Sequence, residues 1–142
     1  MDTSGIHVWL IVWKSYEALS AQATESISSL DVCYTDFTIL ELLLHKGSQP
    51  INAIGSRLNL TSGSMTLAID RLEKKQFVER TSDPNDRRAR IVQLTPEGKK
   101  VITQSFKKHK KDMEKALDGL DEAERVQLIT LLKQIASKER AS

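Results

Sequence analysis

The sequence contains a single cysteine, Cys33, and no long apolar run. One cysteine cannot form a disulfide within the chain, which fits a protein of the reducing cytosol. The apolar run Ile6–Trp13 is far shorter than the ~20 residues that cross a bilayer. It also lacks the basic leader and the small-residue cleavage site of a signal peptide. We therefore predict a cytoplasmic protein without a membrane-spanning segment.

Motifs that carry catalysis are also missing. The chain has no glycine-rich phosphate loop, no Cys-x-x-Cys pair and no histidine close in sequence to paired carboxylates. The acidic cluster Asp121-Glu122-Ala123-Glu124 is explained by a capping box, in which the first and fourth residues satisfy amide groups at a helix start. The sequence thus predicts neither an enzyme nor a bound cofactor.

One segment holds most of the positive charge. The formal net charge is +2, but residues 71–111 contain 13 Lys and Arg against 5 Asp and Glu, a local excess of +8. The rest of the chain therefore carries −6. This uneven distribution indicates one half that binds a polyanion and a second half with a different task.

Hydrophobic periodicity and turn chemistry predict a mainly α fold of the α+β type, in one domain of 142 residues. Thr35 and Thr95 are the predicted caps at two helix starts, and Gly47 is the predicted end of another helix. The predicted helices span residues 6–29, 36–45, 51–58 and 62–75, with a long helix from 96 and a last helix after 121. Residues 77–81 and 89–94 are predicted to form a β-hairpin between the fourth and fifth helices.

The third and fourth helices with the hairpin make up a winged helix-turn-helix. In this motif the second helix lies in the major groove of DNA, led by its N-terminal residues. Here those residues are small and mostly carry hydroxyls, which allows close approach and bonds to base edges or phosphates. They are Thr61, Ser62, Gly63, Ser64 and Thr66. Arg71, further along the same helix, is predicted to reach the phosphate backbone.

The end of the hairpin is rich in arginine. The turn Asp83-Pro84-Asn85-Asp86 precedes Arg87, Arg88 and Arg90. We predict that Arg88 enters a minor groove, where the potential is most negative if the groove is narrow, and that Arg87 and Arg90 contact phosphates. Asp86 is predicted to pair with Arg88 and fix the tip.

Each of these features also has an ordinary explanation. Serine and threonine at a helix start often serve only as caps, and arginines in a turn are often only solvated. Their ordered coincidence within a basic segment favours DNA binding over either explanation. A winged helix that binds protein instead of DNA is the alternative, and the salt dependence of duplex binding distinguishes the two.

The same residues resemble the MarR/SlyA family of bacterial winged-helix transcription regulators. Residues Asp83–Gly98 carry the family's wing pattern, an Asp-x-Arg followed by Leu-Thr and then Gly. Leu72–Arg80 resembles the end of the family's recognition helix where it runs into the wing. Tyr34–Leu40 resembles the start of its second helix. The resemblance extends from about residue 30 to the end of the chain.

The resemblance implies an intertwined homodimer on a pseudo-palindromic, double-stranded operator. Residues 1–33 and 96–142 are then dimerisation helices, and residues 34–95 are the winged helix-turn-helix of each protomer. Such proteins are mostly repressors that a small ligand or the oxidation of a cysteine releases. A heptad-like apolar pattern on the fifth helix is consistent with a partner helix, although packing within one chain is the commoner cause.

Two groups of residues are candidates for sensing the signal. Cys33 precedes a helix start, where the helix dipole favours a reactive thiolate, so it is either a redox sensor or a small packed thiol. Trp9, Trp13 and Tyr16 share one helix face through their i, i+4, i+7 spacing. They line either a pocket for an aromatic effector or a core or dimer interface.

Zinc is a further alternative, because Cys33, His45 and His109 are zinc-ligand types. The helical neighbours of His109 are Ser105 and Met113 rather than a second histidine, which disfavours a metal site. The sequence therefore predicts no bound metal, and it leaves a zinc-dependent regulator as the less favoured alternative.

Overall fold

The structure, a computed structural model, describes the backbone of residues 1–140 and the side chains of residues 1–138. The helices are α1 (Gly5–Ser26), α2 (Tyr34–Lys46), α3 (Ile51–Leu58), α4 (Ser62–Lys74), α5 (Pro96–Ala116) and α6 (Glu122–Arg140). The strands are β1 (Gln49–Pro50), β2 (Val78–Asp83) and β3 (Asp86–Leu94). This order confirms the predicted mainly helical fold with a winged helix-turn-helix. The last two residues of the predicted segment 96–142 lie outside the described residues.

The first helix is shorter than predicted, and a separate 3-10 turn, Ser28–Leu30, follows it. No helix within the described part of the chain is both long and apolar enough to cross a membrane.

Most helix ends form the bonds that the sequence predicts. The Thr95 hydroxyl accepts the amide of Gly98 at 2.9 Å. Asp121 and Glu124 bond each other's backbone amides at 2.8 and 2.9 Å, which confirms the capping box. Gly47 ends α2 with a φ of 76°, a left-handed conformation that glycine adopts without steric cost.

The start of α2 differs from the prediction. Thr35 is not the cap; the helix begins at Tyr34, and Cys33 is the N-cap, with its carbonyl accepting the Phe37 amide at 3.0 Å. The Cys33 side chain makes no capping bond. Two residues of the first turn, Tyr34 and Asp36, are bound to other helices, and these tertiary contacts override the local preference of threonine for a cap.

The sheet has three antiparallel strands in the order β1-β3-β2. The hairpin β2–β3, called the wing below, extends further than predicted, until Asp83 faces Asp86 across a two-residue loop. The carboxylates of these two residues accept the amides of Asn85 and Arg88, both at 2.9 Å, so the tip keeps its backbone groups satisfied.

The core lies between α2, α3, α4, the sheet and the first turns of α5. The predicted inward face of α4, Met65, Ile69 and Leu72, is fully buried. The apolar pattern on α5 packs within the same chain, where Ile102 is buried and the helix contacts α1 and α2. This result favours the intramolecular explanation of that pattern over a partner helix.

Helix α5 meets the base of the wing at Gly98. A Cβ atom at this position would lie 1.9 Å from the carbonyl oxygen of Phe77, which no real contact allows. Thr95 fixes the same junction, because its amide donates to the Phe77 carbonyl at 3.1 Å and its hydroxyl donates to the Gln76 carbonyl at 2.6 Å. Only glycine permits this approach of the two backbones.

We expect Gly98→Ala to lower the free energy of unfolding by about 2 kcal/mol, because the added methyl group forces the α5–wing junction apart. Urea denaturation at fixed protein concentration measures the change. Gly63→Ala is the matched control, since a Cβ added at this position would meet nothing within 4 Å; it should stabilise the protein or leave it unchanged. Equal stability of the Gly98→Ala and wild-type proteins would contradict the contact.

His109 is a buried polar residue in the α2–α5 contact. It is 7% exposed, its Nε2 lies 3.2 Å from the Tyr34 hydroxyl, and its ring packs edge-on against Phe37. Its Nδ1 has no partner among the described atoms. Burial lowers the pKa of His109, although the carboxylates of Glu41 and Asp112 oppose the shift.

The lowered pKa of His109 predicts lower stability in mild acid. Below its ordinary pKa of about 6.5, the unfolded state binds a proton that the folded state does not. The free energy of unfolding therefore falls as the pH drops through this value. We expect His109→Gln to reduce that loss in urea denaturation, and His45→Gln, on the exposed end of α2, to retain it. An unchanged pH dependence in His109→Gln would show that this residue is not responsible.

Candidate nucleic-acid interface

Helices α3 and α4 meet at a tight turn that leaves the start of α4 exposed. Asn59 adopts a left-handed conformation with φ 59°, and the Leu60 amide donates to the Gly55 carbonyl at 2.8 Å. A Cβ on Gly55 would lie 3.0 Å from the Met65 side chain, so the two helices approach closely here. This packing fixes the direction of α4 and projects its first turn into solvent.

The five predicted contact residues at this turn are all exposed, and some of their hydroxyls already have bonds within the protein. Thr61 is the N-cap: its hydroxyl accepts the Ser64 amide at 3.1 Å and donates to the Ser64 hydroxyl at 3.0 Å. Thr66 donates to the Ser62 carbonyl at 3.0 Å. Capping therefore explains part of the hydroxyl pattern, and each oxygen keeps a free lone pair for a donor.

Arg71 occupies a different position from the one expected of a side chain that extends to DNA. Its Nε and Nη2 donate to both carboxylate oxygens of Asp36, at 2.9 and 2.8 Å. Asp36 is buried, whereas about half of the Arg71 side chain remains exposed. Hydrogen bonding to Asp36 raises the pKa of Arg71. Arg71 thus ties α4 to α2, and its contact with a phosphate remains a prediction.

Cys33 lies at the start of the helix that carries Asp36. It is exposed, and as the N-cap of α2 it stands three residues before Asp36. The predicted sensor residue therefore belongs to the helical turn that is bonded to α4. Whether the thiol senses anything remains a prediction.

The tip of the wing carries three arginines next to a turn that is fixed by hydrogen bonds. Asp86 accepts the backbone amide of Arg88, whereas the predicted pairing was with the Arg88 side chain. The carboxylate therefore fixes the backbone of the turn. Arg87, Arg88 and Arg90 are all exposed. The pairing of β2 and β3 is irregular at this point, because Ser82 pairs with Arg90 but Asp83 pairs with Asp86. Arg90 also donates to Ser82 at 2.9 Å.

Arg80 connects the wing to α4, a role that the sequence alone did not reveal. Its guanidinium donates to Asp70 at 2.6 Å and to Glu73 at 2.7 Å, and the Arg80 amide donates to Glu73 at 3.1 Å. Asp70 and Glu73 lie three residues apart on one face of α4, which is the signal that could have identified an arginine partner. This bridge sets the position of the wing relative to α4.

The aromatic residues of α1 form part of a large exposed apolar surface. Trp9 and Trp13 stack with ring centroids 6.3 Å apart, and Tyr16 on the same helix is 68% exposed. The large apolar residues exposed on α1 and α6 are Ile6, Val8, Trp9, Leu10, Ile11, Trp13, Tyr16, Val126, Leu128, Ile129, Leu131, Leu132 and Ile135. A surface of this size indicates that another molecule covers it.

The three zinc-ligand types do not come together. His45 bonds the Glu41 carbonyl at 2.8 Å and packs against Phe106, whereas His109 faces Tyr34. Within the described residues, no three His, Cys, Asp or Glu side chains form a group that could hold a metal ion.

Comparison with known proteins agrees with this architecture. The model of the MarR family matches residues 33–89, from the N-cap of α2 into β3. The chain is 30% identical over 135 residues to the HTH-type transcriptional regulator MhqR of Bacillus subtilis (strain 168), covering 95% of this chain and 93% of the relative.

Solved structures show the same fold. A cysteine-to-serine mutant of MarR from E. coli, complexed with operator DNA, has a TM-score of 0.83 at 24% identity, covering 92% of this chain and 94% of that chain. AbsC, a MarR family transcriptional regulator from Streptomyces coelicolor, has a TM-score of 0.90 at 19% identity, covering 100% and 98%. Together with the family match, these findings show that the chain belongs to the MarR family.

Proposed function

We propose that this protein is a cytoplasmic, sequence-specific transcription regulator, not an enzyme, that binds double-stranded DNA as a homodimer. The observation that carries the proposal is the bridge from Arg80 to Asp70 and Glu73, which holds two exposed DNA-contacting elements in one fixed arrangement. One element is the first turn of α4, with its hydroxyls and free helix amides. The other is the arginine-rich tip of the wing.

The two elements suit different parts of a duplex. The small side chains at the start of α4 allow the helix N-terminus to enter a major groove, where amides and hydroxyls meet base edges and phosphates. The exposed side chain of Arg88 is long enough to enter the adjacent minor groove. The complex of E. coli MarR with operator DNA, which has this fold, supports a duplex as the partner.

The exposed apolar surface of α1 and α6 supports the homodimer. These two helices flank the winged lobe in the sequence, and their exposed side chains include two tryptophans that a monomer would leave in water. A second copy of the chain buries this surface. Two-fold symmetry then places the α4 turn and wing of each protomer at one half of a pseudo-palindrome.

For the signal, we propose a repressor that is released at one of two sites. The first is Cys33, because it caps the turn of α2 that contains Asp36, and a bulky or charged modification there would disturb the bond from Asp36 to Arg71 of α4. The second is the surface of Trp9, Trp13 and Tyr16, where an aromatic ligand would sit at the dimer helices.

Selection of bound duplexes from a random library, followed by affinity measurements at several salt concentrations, tests the proposal. We expect a recovered sequence with approximate two-fold symmetry and a steep loss of affinity with salt, as phosphate contacts require. Weak binding that varies little with salt, or recovery of no sequence at all, would instead favour a protein-binding winged helix.

Arg88→Ala should weaken binding to the selected duplex by about 1–3 kcal/mol per half-site, because it removes a minor-groove contact. Gel-shift titration measures the loss. Lys110→Ala, at an exposed position on α5, removes one charge outside the wing and serves as the control; it should bind almost as tightly as wild type. Sedimentation should give the same dimer mass for all three proteins. An unaltered gel shift in Arg88→Ala would remove the wing tip from the mechanism.

Cys33→Ser should bind the selected duplex like wild type but keep binding after treatment with peroxide or quinone. Wild-type protein should lose its duplex under the same treatment, since the modified sulfur lies at the turn of α2 whose Asp36 bonds Arg71. Trp13→Leu, which leaves the thiol intact, is the control and should remain sensitive. If Cys33→Ser responds to the oxidant like wild type, the thiol is not the sensor.

A further inference from the structure

Helix α5 carries a lysine-rich surface that belongs neither to the core nor to the two proposed DNA-contacting elements, the first turn of α4 and the tip of the wing. Seven lysines on this helix are exposed: Lys99, Lys100, Lys107, Lys108, Lys110, Lys111 and Lys115. Lys100, Lys107, Lys111 and Lys115 recur at steps of seven, four and four, so they share one helix face. We call these four residues the lysine face. It lies opposite Ile102 and His109, which are buried.

The lysine face has little neutralising charge of its own. Among the described side chains, one lysine of α5 forms an ion pair: Lys108, which lies outside the lysine face, binds Asp112 at 2.7 Å. Glu114 lies on the same side of the helix but is held by Arg125 at 2.6 Å. Like charges four residues apart, as in Lys107–Lys111 and Lys111–Lys115, destabilise a helix. A surface that retains this repulsion is suited to an external polyanion.

The composition of the lysine face also distinguishes it from the dimer surface. Gln104 is exposed between Lys100 and Lys107, and the lysine face contains no large apolar side chain. The surfaces of α1 and α6, by contrast, expose thirteen large apolar residues. The lysine face is therefore a poor dimer interface, and without apolar or aromatic anchors it is equally unsuited to insertion into a membrane surface.

We propose that the lysine face binds phosphates of duplex DNA that lies outside the segment read by α4 and the wing, without recognising sequence. Helix α5 starts two residues after β3, so the face is attached directly to the base of the wing. From Lys100 to Lys115 it extends about 22 Å, at about 1.5 Å per residue. This length matches a run of phosphates along one duplex, and lysine binds phosphate as a flexible point charge. The inference depends on the proposed duplex-binding function.

The test compares two duplexes that share the sequence recovered by selection. The core duplex has about 20 base pairs, or two helical turns, and the long duplex adds about 20 random base pairs on each side. We expect wild-type protein to bind the long duplex about tenfold more tightly at low salt, with a steeper salt dependence, because each added phosphate contact contributes about 0.9 to the slope.

The triple variant Lys100→Gln, Lys107→Gln, Lys111→Gln should lose the gain on the long duplex and keep wild-type affinity for the core duplex. The control variant Lys46→Gln, Lys99→Gln, Lys110→Gln removes the same charge from exposed positions outside the lysine face and outside α1 and α6, and it should keep the gain. Light scattering should show one dimer mass for all proteins.

Three results would overturn the inference: an equal gain in the triple variant and wild type, an equal loss in both triple variants, or a change of dimer mass in the lysine-face variant. Preferred binding of wild type to anionic phosphatidylglycerol vesicles over random duplex would also overturn it. Failure of the proposed function is a separate result, because wild-type protein would then fail to bind the core duplex itself.

Discussion

The distance between the first turn of α4 and the tip of the wing, the two elements proposed to contact DNA, depends on one arginine. Arg80 leaves β2 and bonds two acidic residues of α4, so the wing cannot swing independently of the helix that it accompanies. Two different nitrogens of the guanidinium donate to the two carboxylates, which adds directional constraint to the charge attraction. A helix tip and an arginine-rich loop reach neighbouring grooves only if their separation is fixed, so the proposed function depends on this bridge.

The first turn of α2 connects α4 to the rest of the protein. Tyr34 contacts His109 of α5, and two residues later Asp36 binds Arg71 of α4. Helix α5 is therefore connected to α4 through two polar contacts that share one helical turn. Cys33 caps this same turn.

Local sequence patterns are sufficient to predict much of the fold, but not the tertiary contacts between its helices and strands. Periodicity identified the buried face of α4, and capping chemistry identified the starts of α5 and α6, because those features depend on residues a few positions apart. The partner of Arg71 is not predictable from local patterns, since Asp36 lies 35 residues away. The partners of Arg80 are nearer in sequence, and the spacing of Asp70 and Glu73 on α4 is a signal that could have identified them. The two-residue strand β1 was missed because it exists only through pairing with β3.

Chemical footprinting on the selected duplex tests most directly whether α4 and the wing read adjacent grooves. Methylation protection reports major-groove contacts, and hydroxyl-radical cleavage reports the accessibility of the minor groove. The account predicts two protected major-groove segments about one or two helical turns apart, each flanked by a protected minor groove that opens again in Arg88→Ala. Protection confined to one groove, or minor-groove protection that persists in this variant, would contradict it.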